Sequence, residues 1–174
     1  MPRIFVCSAI GELIVLIGAG VLAFLRLDPH ADRHILLAVF SLILTCLIQV
    51  MAFTYLTVTG KTIAQAVHLA ALDTGALKDA KRIKQSLARH LALLILAVVF
   101  VTASGANVWR VGGGRTMHLA AAFAVLLAHV FVLSRQYALI VANADLLNRT
   151  LAEYARRRAE RSAGARPATA ATPD

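Results

Sequence analysis

The chain has 174 residues, a length typical of about one domain, and 59% of them are apolar, well above the roughly 45–50% of soluble proteins. With a mean hydropathy of +0.73, this composition excludes an ordinary soluble protein and indicates a membrane protein. The net charge of +9 comes from Lys and Arg residues that cluster beside apolar runs, where anionic lipid headgroups lie, so no nucleic-acid partner is expected.

Four apolar segments are long enough to cross a bilayer core of about 30 Å as helices that rise about 1.5 Å per residue. They cover residues 4–25, 35–57, 91–108 and 117–134. Neither strand-like alternation nor an internal repeat competes with them, and helices satisfy their own backbone groups in lipid. The sequence therefore predicts an all-α, polytopic membrane protein built as an antiparallel four-transmembrane-helix bundle.

The first apolar segment follows Met1-Pro2-Arg3 and so has the start of a signal peptide. However, the stretch between Arg3 and Arg26 has 22 residues with Glu12 as its one charge, which exceeds the roughly 7–15 residues of a signal-peptide core. No convincing Ala-x-Ala cleavage site follows it. We therefore expect a retained transmembrane helix.

Apolar residues continue at helical spacing beyond the second segment and beyond the fourth. This periodicity predicts helical extensions on one side of the membrane, over residues 60–88 and 135–159. The extensions either pack together as a small stalk or, because their polar faces are basic, lie flat in the headgroups as amphipathic helices. The membrane domain with its extensions covers 1–161, and residues 162–174 are expected to be disordered.

Lys and Arg residues are distributed unequally between the two sides of the predicted bundle. Fourteen lie on the side that holds the amino terminus, the extensions and the carboxy-terminal tail, and four lie on the other side. Because positively charged loops stay inside the cell, the sequence predicts that both termini are cytoplasmic.

Polar side chains lie at matching depths in three of the predicted spans. Counted at about 1.5 Å per residue, Glu12 lies about 13 Å inside Arg3, His129 about 9 Å inside Arg135, and Gln49 about 10 Å from the same side. Each shares its helix face with small residues, which line close helix contacts. Because a charge in the hydrocarbon region costs about 2.5–3.5 kcal/mol, we expect Glu12, Gln49 and His129 to form a buried polar layer.

The sequence supports two interpretations of this layer. It is either a proton-bearing or ligand-binding site, or an interhelical hydrogen-bond network that fixes the packing register. His129 is either protonated and ion-paired, or neutral and hydrogen-bonded to a protonated Glu12, because burial favours the neutral forms and pairing favours the charged ones.

Histidines raise the question of a b-type haem, which paired histidines on facing helices hold in membrane bundles. His118 and His129 are eleven residues apart, about 16 Å along one helix, so they cannot ligate one iron together. The candidate pairs for a haem or a metal ion are therefore His90 with His129 and His34 with His118. Interfacial histidines are the simpler interpretation, and the sequence predicts no cofactor and no metal site.

No grouping of a nucleophile with a base, and no pair of carboxylates, points to an enzyme. The chain has nine acidic residues, and all except Glu12 fall in loops, extensions or the tail. Cys7 and Cys46 lie within apolar segments and lack the spacing of a redox or metal motif. The sequence thus predicts a non-enzymatic protein.

Two stretches resemble a known group of proteins: Gln49-Val-Met-Ala-Phe-Thr-Tyr-Leu-Thr-Val-Thr-Gly-Lys61, and Arg135-Gln-Tyr-Ala-Leu-Ile-Val-Ala-Asn143. They resemble small bacterial four-helix integral membrane proteins without an assigned activity, whose second helix carries a motif similar to His-x-x-Val-Met-x-x-Tyr followed by Thr-Gly-Lys. The resemblance implies a bacterial inner (plasma) membrane protein and no activity. Gln49 stands where that group has histidine, which weakens a haem or metal role carried over from it.

These patterns together predict a non-enzymatic inner-membrane protein, either an accessory or assembly subunit of a membrane complex or a self-associating bundle. The alternatives are a b-type haem-binding electron-transfer subunit and a small proton-coupled carrier that uses the layer around Glu12. The expected partners are the lipid bilayer and either other membrane subunits or further copies of the chain.

Overall fold

The computed structural model describes residues 1–25, 32–105 and 114–164, and these residues form four α-helices and no strands. All four helices are long and apolar enough to cross a membrane, which confirms the all-α four-helix prediction. Residues 106–108 of the predicted third span, and 165–174 of the predicted tail, lie outside the described residues. The helices are α1 (Pro2–Leu25), α2 (Asp32–Ala70), α3 (Gly75–Gly105) and α4 (Gly114–Gly164).

The helices form a bundle in which α2 and α4 are central. Both α1 and α3 pack against α2 and α4, and α2 and α4 also contact each other, whereas the described parts of α1 and α3 make no contact. We call the end where α1 begins, α2 meets α3 and α4 ends the basic end, and the other the opposite end. At the basic end Ala71 adopts a positive φ of 50°, and the Asp73 carboxylate accepts a hydrogen bond from the Gly75 N–H at 3.1 Å.

Three of the helices continue past the predicted spans at the basic end. Helix α2 runs on to Ala70, α3 already begins at Gly75, and α4 runs to Gly164, five residues beyond the predicted limit of its extension. Ile63 and Leu87 are fully buried here by neighbouring helices. Within the described residues, the arrangement is a packed three-helix extension.

A seven-residue repeat sets the packing of the two central helices. In α4 one buried series that recurs every seven residues is polar: His129, Gln136, Asn143 and Thr150. In α2 two buried series have the same seven-residue spacing: Ala52, Thr59 and Ala66, and Leu56, Ile63 and Ala70. A sustained seven-residue repeat is the pattern of helices that supercoil with a left hand, which keeps one seam of each helix facing its partner over a long distance.

Outward-facing positions in the spans carry large apolar side chains. Leu93, Leu96 and Phe100 on α3 are each about two-thirds exposed at the surface of the bundle (66%, 67% and 68%). In a bilayer these side chains have neither water nor protein beside them, so they contact lipid.

Exposed ion pairs follow beyond the spans on α4. The Glu153 carboxylate accepts hydrogen bonds from Arg156 at 2.8 Å and from Arg157 at 3.2 Å. The hydrogen bond from Arg156, followed by that from Arg157, holds the pKa of Glu153 below its ordinary value. Because these groups are solvated, the pairs contribute little to folding.

Leu87 tests whether the three-helix extension is a packed unit. Its side chain is 0% exposed, whereas Leu69 on the neighbouring α2 is 66% exposed. We expect Leu87→Ala to lower the free energy of unfolding by about 2–5 kcal/mol through the cavity it leaves. Leu69→Ala, as the matched control, should change it by less than about 0.5 kcal/mol. Equal effects in detergent unfolding curves would contradict the packed extension.

Candidate functional site

Glu12 points into the bundle because the other buried residues on its side of α1 are apolar. The buried residues of α1 are Phe5, Ala9, Glu12 and Ala19, which lie three, four or seven residues apart and so share one side of the helix. Glu12 is fully buried by protein, as the sequence led us to expect of an intramembrane acid.

One carboxylate oxygen of Glu12 has two close neighbours. His129 Nε2 on α4 lies 2.9 Å from Glu12 Oε1, with both side chains fully buried. The Thr45 hydroxyl on α2 makes a hydrogen bond to the same oxygen. Glu12 therefore joins α1 to both central helices at one point in the interior.

The Thr45 hydroxyl is also within reach of the Ser41 backbone carbonyl oxygen, 2.9 Å away. A hydroxyl has a single proton, so Thr45 donates to one of these two oxygens at a time. When it donates to Ser41, a protonated Glu12 can in turn donate to the Thr45 oxygen. The Thr45 hydroxyl can therefore hydrogen-bond to Glu12 in both its charged and its neutral form.

Several buried polar atoms around Glu12 lack hydrogen bonds. Among the described residues, Glu12 Oε2, Ser41 Oγ and both ring nitrogens of His129 have no aligned hydrogen-bond partner. For His129 Nε2 the distance to Glu12 is short but the hydrogen-bond angle is unfavourable, so we treat the contact as electrostatic. Unsatisfied buried polar groups are costly, and they mark this point as something other than a fully bonded structural network.

Gln49 is fully buried, as the sequence predicts, and among the described residues its hydrogen bonds are to Gln136. Gln49 exchanges two hydrogen bonds with Gln136: its Nε2 donates to Gln136 Oε1 at 3.2 Å, and Gln136 Nε2 donates to Gln49 Oε1 at 2.7 Å. Thr45, four residues earlier on the same face of α2, takes the predicted place beside Glu12. Counting residues from flanking arginines ignores helix tilt. It therefore does not distinguish positions that lie one turn apart along a helix.

A further polar contact joins the central helices toward the basic end. Asn143 Nδ2 donates to the Thr59 hydroxyl at 2.7 Å, and both side chains are buried. Leu56 and Ile140, which are fully or almost fully buried, occupy the seam between this contact and the glutamine pair. Polar contacts and apolar layers therefore alternate along the seam.

Sequence reasoning did not identify Thr45, Gln136, Asn143 or Thr59. A signal for two of them exists in the sequence, because Gln136 and Asn143 follow His129 at intervals of seven residues. Hydroxyl residues such as Thr45 and Thr59 give no comparable signal, since threonines in membrane helices commonly bond their own backbone.

The structure brings His34 and His118 together near the opposite end. Their ring centroids are 6.2 Å apart with the planes nearly perpendicular, at 84°. His34 Nδ1 lies 2.9 Å from the Ala19 carbonyl oxygen, and His118 Nδ1 lies 3.1 Å from Ser104 Oγ. A side chain built on Gly105 would come within 3.0 Å of Cε1 and 3.3 Å of Nε2 of His118, so this ring edge packs directly on α3. The contact brings together one of the two candidate histidine pairs.

The other candidate pair is His90 with His129. His129 contacts Glu12, and the structure gives no hydrogen bond or ring contact between His129 and the half-buried His90 within the described residues. In the same part of the chain no three His, Cys, Asp or Glu side chains group together as a metal site.

Comparison of the chain with protein-family models, with curated proteins and with solved structures finds no match.

The pairing of Gln49 with Gln136 can be tested by a double-mutant cycle. We expect Gln136→Leu to destabilise the protein by about 1–3 kcal/mol because it leaves the buried Gln49 amide without a partner. Adding Gln49→Leu should restore most of that loss, because no buried amide is then left unpaired. The measurement is unfolding in detergent, and simple additivity of the two single losses would contradict the pairing.

Proposed function

We propose that the chain is a non-enzymatic integral membrane subunit whose buried Glu12 and His129 bind and release a proton. The observation that carries the proposal is the 2.9 Å contact between Glu12 Oε1 and His129 Nε2, both fully buried within the spans. Of the functions considered from the sequence, a proton-coupled role makes the most direct use of this contact.

Electrostatics supports a proton at this site. An isolated carboxylate or imidazolium in the bilayer interior is strongly disfavoured, so the two groups either neutralise each other as an ion pair or stay neutral by sharing protons differently. These states differ by the position or number of protons. The Thr45 hydroxyl can hydrogen-bond to Glu12 in its charged and in its neutral form.

The alternative role for these side chains is to fix helix register. The pair formed by Gln49 and Gln136 suits that role, because its hydrogen bonds are mutual and involve no ionisable group. Glu12 differs in that it is ionisable and leaves Oε2 without a bond among the described residues. An amide or hydroxyl would fix register at a smaller desolvation cost.

The proton site is tested by infrared difference spectra of the reconstituted protein between acid and alkaline pH. We expect a pH-dependent carboxyl band that Glu12→Gln abolishes and that Glu153→Gln, which changes an exposed acid, retains. His129→Asn should shift the pH at which the carboxyl band changes, because it removes the ionisable group that faces Glu12. If His129 had a purely structural role, that pH would stay unchanged. A Glu12 band that stays constant while the protein remains folded contradicts the proposal.

We further propose that the protein resides in a bacterial inner membrane with both termini in the cytoplasm, as an accessory or assembly subunit. The distribution of fourteen Lys and Arg residues against four supports the orientation. The three-helix extension supports a partner, because Leu69 and Leu151 stay exposed on it beyond the predicted spans.

Purification in mild detergent tests the subunit proposal. We expect the intact particle to exceed the 18.6 kDa mass of one chain by the mass of a partner or of further copies. Leu69→Ser combined with Leu151→Ser should reduce that association, because both changes fall on the exposed face of the extension. A particle that contains a single chain would contradict the proposal.

A further inference from the structure

A groove opens on the outer surface of the bundle between α2 and α3. It has a volume of about 270 Å³ and is lined by Val50, Phe53, Thr54, Ala88 and Leu91. The lining is almost wholly apolar, and Ala88 contributes a small side chain between larger ones. The groove faces sideways, toward the bilayer, so its surroundings are lipid rather than water.

A lysine is held at the basic-end side of this groove. The Lys84 ammonium lies 4.9 Å from the centroid of the Phe53 ring, which is itself part of the lining. Lys84 precedes Ala88 by four residues on α3. It therefore lies about one helical turn from the groove lining, toward the basic end. The cation–π contact fixes a positive charge where the apolar surface ends.

Two further lysines continue the same helix faces. Lys61 lies seven residues beyond Thr54 on α2, and Lys81 lies seven residues before Ala88 on α3; both are exposed. Asp73 caps the turn before α3, and Asp79 lines a separate groove between α3 and α4, so neither carboxylate lines this groove. Lys61, Lys81 and Lys84 therefore place positive charge toward this end of the groove.

The depths match those of a lipid. The predicted spans end at 57 in α2 and begin at 91 in α3, so Lys61 lies about 6 Å and Lys84 about 10 Å beyond the apolar segments. The headgroup region occupies roughly 5–8 Å on each side of the hydrocarbon core. These are backbone distances, and the Lys84 side chain reaches back toward the Phe53 ring. An acyl chain in the groove would thus bring its phosphate near both ammonium groups.

We propose that this groove is a binding site for an anionic phospholipid. Its acyl chain lies along Phe53, Ala88 and Leu91, and its phosphate is bound by Lys84 with the help of Lys61. The charge of the site excludes cationic ligands, and its sideways opening into the bilayer favours a lipid over a soluble anion or a peptide.

Native mass spectrometry of the full chain in neutral detergent tests the site, with phosphatidylglycerol and phosphatidylcholine of equal chain length as probes. We expect a preference for phosphatidylglycerol that Lys84→Gln lowers about fivefold, the factor that corresponds to about 1 kcal/mol for each basic residue near a membrane surface. Binding of phosphatidylcholine should not change. Lys61→Gln gives a second, independent loss if Lys84→Gln prevents folding.

Arg135→Gln is the matched control. Arg135 lies at the same end of the bundle, 5.4 Å from the Phe131 ring, but neither residue lines the groove. The proposal holds if this variant keeps the wild-type lipid preference. It is overturned if Arg135→Gln and Lys84→Gln lose the preference equally, which would indicate general surface charge, or if the wild type binds both lipids alike.

Discussion

The burial of Glu12 against His129 is the constraint on which the bundle depends. A carboxylate that turned toward lipid would lose solvation with nothing in return, so α1 must present this face to the interior. The same contact fixes the rotation of α4, because His129 begins the series of buried positions at intervals of seven residues. Thr45 adds α2 to the contact, and three of the four helices are thereby oriented around one oxygen atom.

The polar contacts along the seam between α2 and α4 differ in chemistry. The glutamine pair and the contact between Asn143 and Thr59 are closed hydrogen bonds between groups that do not ionise, and they define which residues of the two helices face each other. Apolar layers separate these contacts, so the seam offers no continuous polar route in this conformation.

The sequence predicted the four spans because long apolar runs admit few alternatives in a bilayer. It also predicted that Glu12 and His129 lie inward at similar depths, since both depend on helix periodicity and a count of residues. It predicted the burial of Gln49 but not its hydrogen-bond partner. The partner Gln136 depends on the pairing of two helices far apart in the chain, which a single sequence does not specify.

Helix α1 is the helix whose attachment to the bundle depends most on the polar contacts of Glu12. It is the only one of the four described helices without an extension at the basic end, and it has no contact with α3. Toward the opposite end its backbone carbonyls at Ala19 and Ala23 bond His34 and Arg115. Between those bonds and the apolar contacts of Phe5, Glu12 supplies the polar link from α1 to α2 and α4.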